Sequence, residues 1–349
     1  MTHEEATGSE FEPRVTDPEF QEGDRSLEGG LRPASLNEFV GQDGLKENLR
    51  ILVAASRGRG EPLEHLLLSG PPGLGKTTLA TLLASEMETR LVSTSGPALE
   101  RAADLVGILT GLPDRGILFI DEIHRLNRTI EEYLYPAMEE RQLDILLDRG
   151  PSARTVRLRL RPFTLVGATT RSGLLSAPLR SRFGFTGRLD FYGEPELVRI
   201  VLRSARILQV PCDDAAAREL AKRGRGTPRI VNRLLRRVRD YAQVRGNGQI
   251  DTPTILRACE LLQVEENGLH EMDRRLLETI VGRFRGGPVG LSTLAACLGE
   301  EPDTLEEVYE PYLLQQGYLQ RTPRGREATD RAFRVLGMTA NPRTPPLFS

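Results

Sequence analysis

Several short segments of this 349-residue chain place phosphate-handling residue types at the ends of apolar runs. The first is Gly70-Pro71-Pro72-Gly73-Leu74-Gly75-Lys76-Thr77, which fits GxxxxGK(S/T) directly after an apolar run and before a helical pattern. Glycines let the backbone curl until its N–H groups converge on phosphate oxygens, helped by the N-terminus of the following helix. Lys76 offers a compact charge that reaches β- and γ-phosphates, and Thr77 offers a hydroxyl to Mg2+. Only Lys46, Lys76 and Lys222 are lysines among 47 basic residues, so a lysine at this position is informative.

Ile117-Leu118-Phe119-Ile120 ends in Asp121-Glu122, a strand delivering two carboxylates. Asp121 is expected to hold Mg2+ and Glu122 to polarise the attacking water. Gly167-Ala168-Thr169-Thr170-Arg171 ends another apolar run, and Thr170 is expected between the γ-phosphate and that water. Pro178-Leu179-Arg180-Ser181-Arg182-Phe183 follows; in a ring of subunits an arginine here reaches a neighbour's nucleotide. Gly226-Thr227-Pro228-Arg229 opens a helix, with Pro228 suited to its first turn and Arg229 expected to face the γ-phosphate. Arg233, Arg236, Arg237 and Arg239 behind it read as surface or ring-interface charges.

The elements that must position these groups alternate apolar runs with amphipathic stretches, as in an α/β P-loop domain with a parallel sheet and helices on both faces. His65–Ser69, Gly116–Ile120 and Phe163–Ala168 are near-continuously apolar and suit strands buried on both sides. Helical patterns lie at Leu45–Ala55, Lys76–Met87 and Ile130–Glu140. Leu143–Leu147 and Thr155–Leu160 flank the turn-rich Asp148–Ala153, which predicts a hairpin projecting over about 143–160. After Phe191 the strands stop. Glu194–Leu208, Asp213–Lys222, Pro228–Val244 and Thr252–Leu262 predict an all-helical lid. Helices at Glu271–Arg283, Ser292–Leu298 and Asp303–Gln315, then the basic run Gly317–Arg326, predict a C-terminal winged-helix DNA-binding domain. The expected partition is 1–26 acidic leader, 27–192 ATPase domain, 193–266 lid, 267–337 winged helix and 338–349 tail.

The net charge of −2 hides an asymmetry: residues 1–30 carry nine acidic residues against Arg14 and Arg25, leaving the remaining 319 at +5. A mildly basic body permits nucleic-acid contact. Apolar runs never reach membrane-spanning length, and the acidic N-terminus lacks a secretory pattern, so the expectation is a cytoplasmic protein without membrane association. Cys212, Cys259 and Cys297 are widely spaced and read as reduced thiols rather than a disulfide or zinc framework.

Taken in order, these motifs resemble the AAA+ superfamily: Walker A, Walker B, sensor 1, arginine finger and sensor 2. The stretches HLLLSGPPGLGKTTLA, LFIDEIHRL, GPSAR, PFTLVGATTR, PLRSRFG, RGTPRIVNRLLRRVRD and EPYLLQQGYLQRTPRGR resemble the RuvB family more closely, over roughly 27–330. That resemblance implies a hexameric, ATP-driven helicase-type motor that migrates Holliday junctions along duplex DNA in recombination and repair. It would work with RuvA, docked on the hairpin through Leu143, Ile145, Leu146 and Leu147, and with RuvC during resolution. It further implies Gly73, Gly75, Lys76, Thr77 and Thr78 at the phosphates, and Leu31 and Arg32 beside the adenine. Tyr192, Glu139, Glu140, Arg141 and Arg229 would lie near the nucleotide, with Arg182 rather than Arg180 as the finger.

In the winged segment Arg321, Arg324 and Arg326 lie on a glycine-containing turn without an aromatic platform, suited to phosphates rather than bases. Arg321 and Arg326 are the expected DNA contacts. A clamp-loader subunit, a replication initiator and a winged-helix regulator holding ATP only structurally are the rival readings. The intact Asp121-Glu122 pair weighs against the last.

Overall fold

A computed structural model describes residues 30–146 and 155–339, which form two compact units divided between Glu196 and Leu197. In the first unit the strands are β1 (Leu66–Ser69), β2 (Leu91–Ser95), β3 (Gly116–Asp121), β4 (Gln142–Leu146), β5 (Thr155–Arg159), β6 (Phe163–Thr169) and β7 (Phe185–Arg188). Five of them form one parallel sheet in the order β2-β3-β6-β1-β7. Every residue of β1 and β6 is buried, as their near-continuous apolar runs lead one to expect of central strands covered on both faces. The helices are α1 (Asp43–Arg59), α2 (Lys76–Glu86), α3 (Ala102–Gly111), α4 (Arg128–Glu139) and the short α5 (Ala177–Arg180).

Register aligns the carboxyl ends. Ser69 stands opposite both Thr169 and Arg188, Ser95 opposite Asp121, and Ile120 opposite Gly167. From β1 the chain runs to β2 at the far edge, while β1 keeps β6 and β7 as neighbours. That reversal makes the rim above β1 the topological switch point, where open α/β sheets take ligands.

β4 and β5 form the expected antiparallel hairpin, Leu143 opposite Leu158 and Ile145 opposite Val156. Its anticipated turn, Asp148–Ala153, lies outside the described residues, as do the leader and the tail. Leu143 is fully buried in the unit's own core, with Leu158 packed against the same cluster, so Leu143 is not available to a partner. Farther out on that face Val156 is exposed.

The second unit holds most of α6 (Glu194–Ile207), then α7 (Asp214–Arg223), α8 (Pro228–Arg245) and α9 (Thr252–Leu261). The winged portion follows: α10 (Glu271–Glu278), a π-helical continuation at Thr279–Arg283, and α11 (Leu291–Leu298). Pro302–Thr304, the π-helical Leu305–Tyr309 and Glu310–Gln315 run on directly as α12. A ribbon of β8 (Leu319–Thr322) and β9 (Gly325–Ala328) precedes α13 (Asp330–Val335). Leu276, Leu277, Leu294, Leu305, Leu313 and Phe333 share one core, which makes the wing a packed body. Arg233, expected at the surface, is only 4% exposed; its face of α8 points into the unit beside Ile230 and Leu234. Among the described residues no helix is long and apolar enough to cross a membrane.

Candidate functional site

The loop after β1 is folded so tightly that two of its positions leave no room for a side chain. Gly70 has φ +140°, and a Cβ there would lie 2.4 Å from the Leu189 carbonyl oxygen. Gly75 has φ +106°, with the Phe39 ring 3.1 Å from where its Cβ would be. Both backbones favour glycine, and Gly73 is also left-handed. The Gly70 amide bonds the Thr169 carbonyl and Leu189 bonds Ser69, tying the loop to β6 and to the end of β7.

Lys76 opens α2 with its side chain buried, and its ammonium donates to the carbonyls of Gly70 (2.7 Å) and Pro71 (2.9 Å). A buried cation held by two loop carbonyls, beside glycines at 70 and 75 that leave no room for a Cβ, fits a triphosphate. Thr77 and Thr78 follow on the first turn of α2, both half-buried. Among the described residues no three His, Cys, Asp or Glu side chains converge as a metal cage. The donor set of Thr77 and Asp121 fits Mg2+, which takes one or two protein oxygens and completes its shell with phosphate and water.

Glu122 is held from several sides at this rim. Its backbone is left-handed (φ 44°), an unusual conformation for a non-glycine residue. Its Oε2 accepts from the Thr170 amide (3.1 Å) and the Thr170 hydroxyl (3.1 Å). His124 Nδ1 lies 3.1 Å from the same oxygen and 2.9 Å from the buried Thr169 hydroxyl. Burial pushes the Glu122 carboxyl upward, but the bonds from His124 and Thr170 and the charge of Lys76 outweigh it. The net shift is below the usual carboxylate range. Glu122 is therefore ionised at neutral pH and aimed by two strand ends. Sequence reasoning missed His124; its signal was a histidine three residues after Asp121, on the 3-10 turn that follows β3.

Tyr192 reaches the loop from beyond β7. Its hydroxyl donates to the Leu74 carbonyl at 3.1 Å, and burial raises its pKa so the phenol stays neutral. Its ring packs on Gly41, whose Cβ would come within 2.8 Å of it. Leu31 is buried and Arg32 half-buried.

Arg182 departs from this cluster. Its guanidinium lies 4.4 Å over the Tyr135 ring, pairs with Glu139 at 3.1 Å, and donates to the Pro178 carbonyl at 2.6 Å. The Arg182 and Glu139 expectations thus meet at one spot at the end of α4, followed by exposed Glu140 and left-handed Arg141. Arg180 is turned onto the Ser172 and Leu175 carbonyls. Arg229 stands half-buried on the first turn of α8 in the second unit, behind Thr227 and Pro228. In the wing, Arg321 and Arg326 stand opposite each other across β8 and β9, and both bind the carboxylate of Glu310.

Comparison with known proteins accounts for nearly all of the described residues. The family model for the Holliday junction DNA helicase RuvB P-loop domain matches residues 31–189. Those for the RuvB AAA lid domain and the RuvB C-terminal winged helix domain match 192–265 and 266–337. The Holliday junction branch migration complex subunit RuvB of Rubrobacter xylanophilus is 58% identical over 337 residues, covering 96% of this chain and 94% of that protein. The solved structure of the Thermotoga maritima RuvB Holliday junction branch migration motor superposes with a TM-score of 0.82 at 52% identity. It covers 89% of this chain and 100% of that one. A single-substitution mutant of the same Thermotoga protein gives 0.83 at 52% identity, covering 89% and 99%.

Proposed function

Because this chain belongs to the RuvB family of Holliday junction branch-migration motors, we propose that it hydrolyses ATP with Mg2+ on the Gly70–Thr77 loop. In this reading it drives duplex DNA through a homo-hexameric ring, as a helicase-type motor. The observation that carries the chemistry is Glu122, ionised and held by Thr170 and His124 beside the glycine loop. Lys76, Gly73, Gly75 and Thr78 would hold the phosphates, and Thr77 with Asp121 the metal ion, whose chemistry is to neutralise charge on the β- and γ-oxygens. Thr170 fixes the Glu122 oxygen that orients the attacking water. Leu31, Arg32 and Tyr192 would flank the nucleoside side.

Arg182 is assigned to the neighbouring subunit's site, with Glu139, Glu140 and Arg141 on the same face. Arg229 reads the γ-phosphate from the lid. The domain partition at 192/193 and 266/267 separates nucleotide chemistry, lid movement and DNA contact. Arg321 and Arg326 meet duplex phosphates without regard to sequence, which suits a motor that must slide. RuvA is the partner of the projecting hairpin, which toward its tip carries exposed Val156 opposite Ile145. RuvC joins at resolution, and the setting is the cytoplasm.

The test is migration of a synthetic four-way junction by the purified chain with ATP, Mg2+ and RuvA. Strand exchange that requires both ATP and RuvA, and is lost in Lys76→Ala, is the expected result. ATP hydrolysis with no junction movement in the presence of RuvA would overturn the reading.

A further inference from the structure

Arg321 and Arg326 occupy directly opposed positions of the β8–β9 ribbon. The N–H and C=O of Arg326 are turned away from β8, bonding Val289 at 2.8 and 2.9 Å. The Arg321–Arg326 pair is therefore of the close, non-hydrogen-bonded kind, in which side chains crowd together. Two like charges placed so destabilise a ribbon. Here they are compensated by a carboxylate from α12. Glu310, its side chain 1% exposed, accepts from Arg321 Nε (2.9 Å) and Nη2 (2.6 Å) and from Arg326 Nε (2.6 Å).

A second carboxylate four residues earlier behaves differently. Glu306, 31% exposed, lies 3.2 Å from Arg321 Nη1, an atom outside the Glu310 contacts, and 3.5 Å from Arg326 Nη2, which also donates to Glu310 at 3.3 Å. Arg321 itself is 45% exposed and Arg326 15%, so solvent reaches the pair mainly through Arg321. A phosphate approaching from solvent meets the Arg321 edge that Glu306 covers, whereas the 1%-exposed Glu310 is closed to it.

We propose that Glu310 is the positioning residue that sets both arginines as one phosphate clamp, and that Glu306 is the occupant a DNA phosphate displaces. This rests on the reading of Arg321 and Arg326 as DNA contacts. Expelling a carboxylate as a phosphate enters cancels part of the counterion release. The clamp therefore binds more weakly, and with less salt dependence, than two free arginines would. Weak, exchangeable contacts suit a ring that moves along its track.

The two glutamates give opposite signs although each substitution removes one negative charge. The experiment is fluorescence anisotropy of the full chain on a labelled mixed-sequence duplex over a potassium chloride series, with melting by circular dichroism. Glu306→Gln is expected to tighten binding about two- to fivefold. It should also steepen the slope of log K against log salt, by up to about one per engaged subunit. Glu310→Gln is expected to weaken binding, since the arginines lose their common anchor; if its wing fails to melt cooperatively, Glu310→Asp, which keeps the charge but is one methylene shorter, must weaken it instead. Tightening by both Gln variants would reduce the effect to net charge and overturn the proposal. So would no change in either while Arg321→Ala weakens binding. An Arg321→Ala variant that binds as tightly as the parent would instead overturn the DNA-contact reading itself.

Discussion

Thr170 holds Glu122 twice, its amide and its hydroxyl each 3.1 Å from the same carboxylate oxygen. The end of β6 thereby aims the side chain carried past the end of β3. Glu122→Gln should lower kcat by about 10²–10⁴, the range for loss of a general base, while ATP affinity measured with a fluorescent analogue stays within error. Thr170→Val removes one of the two bonds and keeps the amide, so kcat should fall about tenfold. Equal losses in affinity and turnover would show that Thr170 holds nucleotide rather than Glu122.

Within its own chain Arg182 contacts Glu139, Tyr135 and the Pro178 carbonyl, and none of these belongs to the glycine loop. In the proposed ring it would serve a neighbour's site. Arg182→Ala should cost about 10³–10⁵ in kcat with ATP binding retained. Mixing it with Glu122→Gln subunits should restore part of the activity, because some interfaces then combine an intact Arg182 with an intact Glu122. Mixed rings as inactive as either parent would rule out supply in trans.

The glycine loop, the Asp121-Glu122 pair and the three central strands were legible because burial on both faces forces unbroken apolar runs, and phosphate chemistry forces a fixed spacing. β2 and β7 were not. Both lie at sheet edges and are only partly buried, so LVSTS and FTGR lack the apolar signal of a central strand. His124 was missed for a related reason: it acts through Glu122 and Thr169, a relationship set by the pairing of β3 with β6 and invisible in linear order. Arg233 was misplaced at the surface because the arginine content of α8 obscures which side of the helix is covered. Glu310, far from its partners in the chain, became meaningful only once the ribbon folded over it.

One face of the hairpin runs from buried support at its base to exposure toward its tip. Leu143 is fully buried, whereas Val156 is exposed and stands two residues nearer the tip, opposite Ile145. Val156→Asp should leave ATPase activity and melting unchanged while weakening RuvA capture in a pull-down. Leu143→Asp should lower stability by several kcal/mol, because it buries an uncompensated carboxylate. If Val156→Asp bound RuvA normally, the docking face would have to lie elsewhere.

His65 supplies a pH signature for the ATPase unit. Its Nδ1 accepts from the Leu165 amide at 2.9 Å and its Nε2 lies 3.2 Å from the Met138 carbonyl, an arrangement for the neutral ring. Burial is the main reason its pKa falls below 6.5, the Met138 bond opposes this, and Arg141 adds to the lowering. A folded pKa below the unfolded one means that the unfolded chain takes up the proton first. The associated stability is present above about pH 6.5 and is lost as pH falls from there toward the folded pKa. Thermal midpoints between pH 7.5 and 5.5 should decline, and His65→Asn should flatten that decline. An identical slope in the variant would assign it to other groups.

The lid and the wing share a buried ion pair. Arg225, 4% exposed, donates to fully buried Asp273 at 3.1 Å and lies 4.1 Å over the Tyr312 ring, while the Tyr312 hydroxyl donates to the Asn267 carbonyl. Asp273 also accepts from the His270 amide at the start of α10, so one carboxylate both caps a helix and anchors the loop that precedes Arg229. Removing either charge leaves the other buried and uncompensated, and Asp273→Ala should cost about 3–5 kcal/mol in urea unfolding of the lid–wing transition. Arg225→Met combined with Asp273→Leu should recover a large part of that loss, because apolar replacement of a buried pair is often near neutral. The recovery will be incomplete by about the value of the lost cap at His270, 0.5–2 kcal/mol. Should Asp273→Ala unfold like the parent, water must reach the pair, and it would not join the two parts.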